Sequence, residues 1–239
     1  GPIFVVDGRG GVAMVHFRFN AWGERFFPYD RDAEVPKHLA AHLGMRRYEA
    51  PMVLEGGSFF VDGEGTLLTT EQCLLNPNRN PGMTREQIEA TLREYLGVDV
   101  VVWLGRGHHL DRDTDGHVDA IAQYVRPGVV ILHAPADPRH PDHGSGQENL
   151  RRLREARDAR GRAFEVIPFE PGAARAAGLN LYLCNGAAIV PVDGSPSDEP
   201  VLEQIRAAFP DREIVPVPGG VLLEGGGGPH CITQQVPVG

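Results

Sequence analysis

A histidine and several carboxylates lie close together in RDTDGHVDAIAQYV, the segment from Arg112 to Val125. If the chain is an extended strand from Gly116 onward, His117 and Asp119 project from the same face. An imidazole beside a carboxylate is suited to proton transfer next to a bound cation, because the carboxylate orients the substrate and supports the imidazolium. A solvated acidic turn that enters a strand gives the same pattern, since such pairs recur without function.

The same segment imitates a calcium-binding loop through Asp111, Asp113, Asp115 and Gly116. In such a loop the twelfth position supplies a bidentate glutamate, but that position here is Ala122. We therefore predict no calcium site in this segment.

Cys231 follows a run of four glycines, Gly225 to Gly228, in LLEGGGGPHCITQQ. Glycine lets the backbone approach a ligand closely, so we expect Cys231 in a short β-like run with an accessible thiol. A glycine-rich loop that feeds a buried strand, with Cys231 as a small apolar residue, is the alternative. Phosphate binding is disfavoured, because no Gly-Lys-Ser or Gly-Lys-Thr follows and no helix opens after the glycines.

Two further segments carry polar and aromatic side chains. Glu55 ends an apolar run before two glycines in LEGGS, which places its carboxylate at the rim of a site or simply at a strand end. In HFRFNAWGERFFPYD, Arg18, Asn20 and Trp22 alternate as on one strand face. Trp22 is more often a core residue than a ligand-binding wall.

Several histidines invite a metal site: His108, His109, His133, His140 and His143. They show no recognised ligand spacing, and no cysteine pair accompanies them. We therefore predict no metal site from the sequence.

The composition is that of an ordinary globular protein, with 41% hydrophobic and 23% charged residues among 239. The formal net charge of -9 argues against nucleic acid as a partner and favours a cationic ligand. Cys73, Cys184 and Cys231 lie far apart without a CxxC motif, so we expect free thiols in a reducing compartment, the cytoplasm. No apolar run approaches the ~18 residues of a membrane-spanning helix, so we expect no membrane partner. The sequence leaves homo-oligomer formation open.

The elements that must position these residues repeat along the chain. FVVDGRGGVAMV from Phe4 resembles FFVDGEGTLLTT from Phe59, and RPGVVIL and NGAAIVP are weaker copies of the same turn and strand. Helical periodicity occupies four stretches between these copies: Asp32 to Leu43, Thr84 to Leu96, Gln147 to Ala159 and Ser197 to Phe209. Thr84 with Gln87 is typical of a helix N-terminus.

Short β-branched runs follow three of the helices, at Val98 to Trp103, Phe164 to Ile167 and Glu213 to Val217. The repeating unit is therefore strand, strand, helix, strand. Because one such unit cannot cover its own apolar face, we predict a closed α/β propeller built from these modules in a single domain, residues 1–239. The repeat alone leaves an α/β sandwich with similar hairpins as the alternative.

The ordered motifs RFNAWG, LEGGS, LLTTEQCLLNPNRNP, TDGHVD, RPGVV, NGAAIVP and GGGGPHCITQQ resemble the agmatine deiminase family, which includes bacterial peptidylarginine deiminase homologues. The resemblance spans nearly the whole chain and implies the five-bladed, pentein-like α/β propeller of guanidine-modifying enzymes. It also implies hydrolysis of a small cationic guanidine, agmatine, to N-carbamoylputrescine and ammonia in putrescine biosynthesis. No metal or organic cofactor is needed for that reaction.

The resemblance also assigns roles to individual residues. Cys231 corresponds to the nucleophile, His117 to the general acid/base, and Asp119 to a carboxylate that binds the guanidinium. Glu55 and Asp113 correspond to positions that line the substrate channel, and Asp113 replaces a more usual glutamate. We add Asn20 and Trp22, from RFNAWG, to the expected substrate-binding set.

One departure from the family lies at Gly1. In the family this strand follows an Arg-Asp-Thr sequence whose aspartate is the second guanidinium-binding carboxylate. We therefore expect an incomplete N-terminal module and poor turnover by the chain in this form. Peptidylarginine deimination, amidino transfer to an amine and guanidine binding without catalysis are the alternative functions.

Overall fold

Four three-stranded sheets form the framework of the computed structural model, which describes residues 1–172 and 178–238. In each sheet an antiparallel hairpin is followed by helix, and a third strand then pairs in parallel with the second strand of the hairpin. The predicted unit of strand, strand, helix, strand is therefore confirmed. The fold is mixed α/β, and no sheet closes on itself within the described ranges.

The four modules follow one another along the chain, each built around one sheet. Module 1 comprises β1 (Ile3–Val6), β2 (Val12–Arg18), α1 (Ala21–Glu24), α2 (Asp30–Ala33), α3 (Val35–Leu43) and β3 (Arg47–Val53). Module 2 comprises β4 (Phe59–Val61), β5 (Thr66–Thr70), α4 (Glu71–Leu74), α5 (Arg85–Leu96) and β6 (Val100–Leu104). Module 3 comprises β7 (Ala122–Arg126), β8 (Val129–His133), α6 (His143–Glu155) and β9 (Glu165–Phe169). Module 4 comprises β10 (Tyr182–Cys184), β11 (Ala187–Val192), α7 (Asp198–Ala208) and β12 (Glu213–Pro218), and α8 (Gly220–Glu224) follows it.

The predicted helices are present, with shifts at their ends. Helix α5 begins as predicted, because the Thr84 side chain accepts from the Gln87 amide and the Gln87 side chain accepts from the Thr84 amide. Helix α6 begins at His143, four residues before the predicted Gln147. Its first turn contains two glycines and a serine, which hide the helical period from a hydrophobicity pattern.

The hydrophobic core is divided among the boundaries between consecutive modules. Phe17 and Met52 of module 1 pack in one cluster with Leu92 of module 2. Leu68 of module 2 packs with Leu153 of module 3 in the next cluster, and a third cluster joins modules 3 and 4. The neighbouring module thus covers the apolar face of each sheet. Each fully buried large apolar side chain contributes about 1.5–3 kcal/mol to the free energy of folding. No helix in the described part of the chain is both long and apolar enough to cross a membrane.

Candidate active site

Two adjoining cavities, of about 700 and 500 Å³, meet at His117, Asp119 and Cys231. Their walls come from the residues just before the first strand of each module. Gly1 precedes β1, Glu55 precedes β4, and Asn180 precedes β10. Equivalent loops of the repeated modules therefore meet at one centre.

The segment that carries His117 and Asp119 is not the predicted strand. It forms a single 3-10 turn over Val118–Ala120, and β7 begins only at Ala122. The Asp111 carboxylate accepts from the backbone amides of Gly116 and His117, which bends the chain before a strand can form. The turn still directs both side chains to one side, because Gly57 contacts both of them.

The backbone of Gly57 closes against this pair. A Cβ atom at position 57 would lie 2.5 Å from Oδ2 of Asp119 and 2.6 Å from Nδ1 of His117. Only a residue without a side chain fits there, so the second glycine of LEGGS fixes the distance between module 2 and the catalytic candidates.

Cys231 lies in a turn, and the prediction of a β-like run was wrong. The glycines follow helix α8, and a Cβ atom at Gly227 would lie 2.9 Å from Sγ of Cys231. The glycine run therefore lets the backbone pass directly over the sulfur. The thiol is free and accessible from the cavity.

Among the described residues, two side chains contact the sulfur of Cys231. The thiol donates to Oδ2 of Asp119 at 3.5 Å, and Nδ2 of Asn180 donates to Sγ at 3.1 Å. Partial burial in the cleft, followed by the charge of Asp119, raises the pKa of the thiol to about 11. At neutral pH the side chain is therefore a thiol in this arrangement.

His117 is 4% exposed and faces Glu55 and Cys73. Burial alone would lower its pKa, but the Cys73 sulfur and the Glu55 carboxylate raise the pKa well above its usual value. Of these two we assign the effect to Glu55, because burial raises the pKa of Cys73 and keeps it a neutral thiol. Nε2 of His117 lies 3.9 Å from Oε2 of Glu55, whose negative charge favours the protonated imidazolium.

Arg79 holds Glu55 in place from behind. Its Nε donates to Oε1 of Glu55 at 2.7 Å, and its two other nitrogens donate to Oδ2 of Asp115 and the carbonyl of Thr114, both at 2.9 Å. Burial alone would raise the pKa of Glu55, but His117 and Arg79 lower it, so Glu55 is an anion. A guanidinium makes this planar, three-way contact where an ammonium could not.

The remaining predicted site residues separate into two groups. Asp113 and Trp22 line the cavity, Asp113 beside Gly226 and Trp22 edge-on to Phe19. Asn20 is not among the described residues that line it. Its amide nitrogen donates to the Asn78 carbonyl at 2.8 Å, and its oxygen accepts from the backbone of α1.

The expected alternation of Arg18, Asn20 and Trp22 on a strand was also wrong, since β2 ends at Arg18. Residues 21–24 form a left-handed turn, in which Trp22 has φ 56° and ψ 47°. Such backbone costs about 1–2 kcal/mol per non-glycine residue and persists where the surroundings impose it. Here it turns Trp22 towards the cavity.

Sequence reasoning missed Arg79, Asn180 and His230. Arg79 is in NPNRNP, a segment whose asparagines and prolines are typical of a turn-rich loop, so its single arginine gives no sign of a buried role. His230 is next to Cys231, and its Nδ1 lies 2.9 Å from Oδ2 of Asp119. Asn180 carries no local signal, because its role depends on contact with a residue 51 positions away.

Comparison with known proteins identifies relatives over nearly the whole chain. The model of the Porphyromonas-type peptidyl-arginine deiminase family matches residues 1–237. The chain belongs to this family. It is 42% identical to the agmatine deiminase of Ectopseudomonas mendocina over 269 aligned positions, which cover 99% of this chain and 73% of that protein.

Other family members give the same result. The agmatine deiminase of Stutzerimonas stutzeri is 42% identical over 268 positions, with 99% of this chain and 73% of that protein covered. The solved structure of the agmatine deiminase of Enterococcus faecalis superposes with a TM-score of 0.94 at 36% identity and covers 100% of this chain and 73% of its own. The family resemblance of the motifs is therefore confirmed in sequence and in fold.

Proposed function

We propose that this protein hydrolyses agmatine to N-carbamoylputrescine and ammonia through a covalent intermediate on Cys231. The observation that carries the proposal is the meeting of the Cys231 thiol with the Asp119 carboxylate, 3.5 Å apart in a cavity. Family membership and the named agmatine deiminases support it. A reducing compartment, the cytoplasm, would keep the thiol free.

The reaction begins when the planar guanidinium binds Asp119 by paired hydrogen bonds with its carbon facing Sγ. The cation takes the place of the thiol as donor to Asp119 and lowers the pKa of Cys231, so the thiol releases its proton to solvent and becomes the thiolate. Sulfur then attacks carbon and gives a tetrahedral adduct. Asn180 is placed to stabilise the thiolate through its donated hydrogen bond.

His117 is the group we propose for both proton transfers. As a cation it protonates the departing nitrogen, which leaves as ammonia while the carbon–nitrogen bond breaks. The neutral imidazole then takes a proton from water, whose oxygen attacks the S-alkylthiouronium carbon. Cleavage of the carbon–sulfur bond, with transfer of the adduct's hydroxyl proton to the sulfur, releases the ureido product and restores Cys231 as the thiol.

Glu55, Asp113 and Trp22 form the proposed channel to this centre. Glu55 acts on His117 rather than on the substrate, because its negative charge raises the pKa of that imidazole. Asp113 is exposed where the two cavities meet, a suitable position for the amine end of the substrate. Asn20 positions the loop at Asn78 rather than the substrate.

We also propose that the four sheets are four of the five blades of a single propeller domain. Their common element order and the core clusters between consecutive modules support this. We further propose that, in a form extended by the family's Arg-Asp-Thr sequence, the aspartate would bind the guanidinium, because Gly1 lines the cavity of Cys231. A crystal structure of a form extended by Arg-Asp-Thr and the preceding residues tests both points, and any number of blades other than five contradicts the first.

The decisive experiment uses this extended form with agmatine and an arginine-containing peptide as rival substrates. Formation of ammonia and N-carbamoylputrescine from agmatine supports the proposal if Cys231→Ala abolishes it. Acid quench during turnover should also trap a 1:1 adduct of enzyme and substrate that is visible by mass spectrometry. Turnover that survives Cys231→Ala contradicts the mechanism. Preferential reaction with the peptide would identify peptidyl-arginine as the substrate. It is the second candidate substrate because the matching family is described as peptidyl-arginine deiminase.

A further inference from the structure

Four histidine rings and one carboxylate form a cluster at module 3 and the loop that leads to it from β6, outside the proposed catalytic groups. The rings of His108, His109, His133 and His140 lie 4.8 to 5.8 Å from their neighbours, and all four line the smaller cavity. Asp142, 2% exposed, contacts three of them. The cluster joins the end of β8, the start of α6 and the loop after β6.

The orientation of Asp142 is unusual for its position. It is the N-cap residue of α6, yet its side chain makes no capping hydrogen bond. Its Oδ1 instead accepts from the His109 amide at 2.9 Å, and its Oδ2 lies 2.6 Å from His109, 3.1 Å from His133 and 3.6 Å from His108. A capping interaction worth about 1 kcal/mol is given up to hold this carboxylate among imidazole nitrogens.

We propose that Nε2 of His108, Nε2 of His133 and Oδ2 of Asp142 bind a divalent transition-metal ion such as Zn²⁺. These atoms come from separate elements and all lie within 4.8 Å of one another. Ligands at ~2.0–2.1 Å from a tetrahedral ion are about 3.4 Å apart, so small side-chain rotations complete the geometry. Imidazole with one carboxylate selects zinc, cobalt or nickel over calcium and magnesium.

The hydrogen bonds around the cluster are compatible with an ion. Nδ1 of His109 continues to donate to the Asp142 carboxylate, in the way that outer hydrogen bonds orient a metal ligand. Nδ1 of His108 accepts from the Leu110 amide at 3.1 Å and takes up the proton when Nε2 binds metal. Leu110 is 62% exposed, so water replaces that acceptor.

A second group of donors, Glu55, Cys73 and His117, meets the same distance criterion. It is a poor metal site, because the buried Arg79 cation already pairs with Glu55 and opposes another positive charge. The two groups therefore give different outcomes in a binding experiment. An ion at the module 3 cluster would tie the loop that carries Asp113 to helix α6 and stabilise it.

The test is titration of tag-free protein with Zn²⁺ by calorimetry and with Co²⁺ by visible absorption, in a Cys231→Ser background that removes the accessible thiol. One ion per chain is expected, with tetrahedral Co²⁺ bands and no sulfur charge-transfer band. Replacement His108→Gln or His133→Gln should weaken binding by about 100-fold. His38→Gln on the exposed face of α3 is the matched control and should leave binding unchanged.

His133 is buried, so circular dichroism must show that His133→Gln is folded; His108 is in a partly exposed loop and serves as the second variant. Failure of the parent protein to bind either ion overturns the proposal. Unchanged affinity in His108→Gln, or loss of binding in Glu55→Gln instead, also overturns it. Because the readout is metal binding, the result is independent of deiminase activity.

Discussion

Oδ2 of Asp119 lies 3.5 Å from Sγ of Cys231 and 2.9 Å from Nδ1 of His230. A single carboxylate oxygen thus contacts both the accessible thiol and a buried histidine. His230 fixes the orientation of the carboxylate, while the thiol is the partner that a guanidinium can replace. The catalytic proposal depends on this exchange, and its consequences can be measured.

Removal of the Asp119 charge should lower the pKa of Cys231. The anion raises the thiol pKa, so Asp119→Asn should shift the midpoint of iodoacetamide alkylation to lower pH by about 1 unit. Deimination should fall at the same time by at least about 100-fold, because the guanidinium loses its counter-ion. Asp113→Asn, a charge change at an exposed cavity position, is the control and should leave the alkylation midpoint in place.

The charge of Glu55 should set the alkaline limit of activity. Because folding raises the pKa of His117, protonation of this side chain stabilises the folded protein. That stabilisation is complete below the pKa of the unfolded chain, about 6.5, and is lost as the pH rises through the pKa of the folded protein. Glu55→Gln should therefore move the alkaline limb of kcat to lower pH and flatten the loss of unfolding free energy above pH 6.5. NMR titration of His117 measures its pKa directly. An unchanged His117 pKa in Glu55→Gln would refute this assignment, and Glu165→Gln on the surface is the control.

Asn180 should affect kcat more than KM. Asn180→Ala removes the hydrogen bond to sulfur, and we expect kcat to fall by about 10-fold, equivalent to one ordinary hydrogen bond. Asn149→Ala is the matched control, since Asn149 is 2% exposed and Asn180 is 3% exposed. It should reduce stability and leave kcat alone. Equal kcat losses in both variants would mean that Asn180 acts only through the fold.

A methyl group at Gly57 should displace Asp119 and His117, the proposed catalytic pair. The added Cβ would lie within 2.6 Å of both Asp119 and His117, and a misplacement of about 1 Å can cost about 100-fold in rate. Steady-state kinetics of Gly57→Ala should show that loss in kcat/KM. Gly82→Ala, where an added Cβ meets no atom within 4 Å, should retain full activity. Full activity in Gly57→Ala would contradict the close approach.

Arg79 should be important for stability. Arg79→Ala leaves Glu55 and Asp115 without their buried cation, which should cost about 3–5 kcal/mol in the free energy of unfolding. Urea denaturation measures this change. Arg126→Ala breaks an exposed pair with Glu165 and should cost less than about 1 kcal/mol. Comparable losses in the two variants would argue against a special role for the buried network.

The modular architecture could be predicted from the sequence because its signals are local. Turn glycines recur before apolar runs, and the Thr84–Gln87 capping box marks the start of α5 within four residues. The order of modules then follows from chain order. The division of the core between neighbouring modules follows from the need of each sheet to cover an apolar face.

The geometry of the site could be predicted only in part. The family motifs bring His117, Asp119, Glu55 and Cys231 to one cavity, but alternation predicted a strand where Asp111 forms a turn. That error arises because hydrogen bonds from backbone amides to a side chain such as Asp111 cannot be detected in the pattern of apolar residues. The contact of Asn180 with sulfur depends on the packing of distant segments.

The distribution of the site over all four modules has a consequence for biosynthesis. Asp119 and Cys231 are separated by 112 positions, and Cys231 follows module 4 and α8. A nascent chain therefore holds the Cys231 thiol apart from the Asp119 carboxylate until the segment after α8 has been synthesised and has docked. Under the proposed mechanism, guanidine chemistry begins only when Cys231 has docked beside Asp119, so a partly folded chain would not trap substrate covalently.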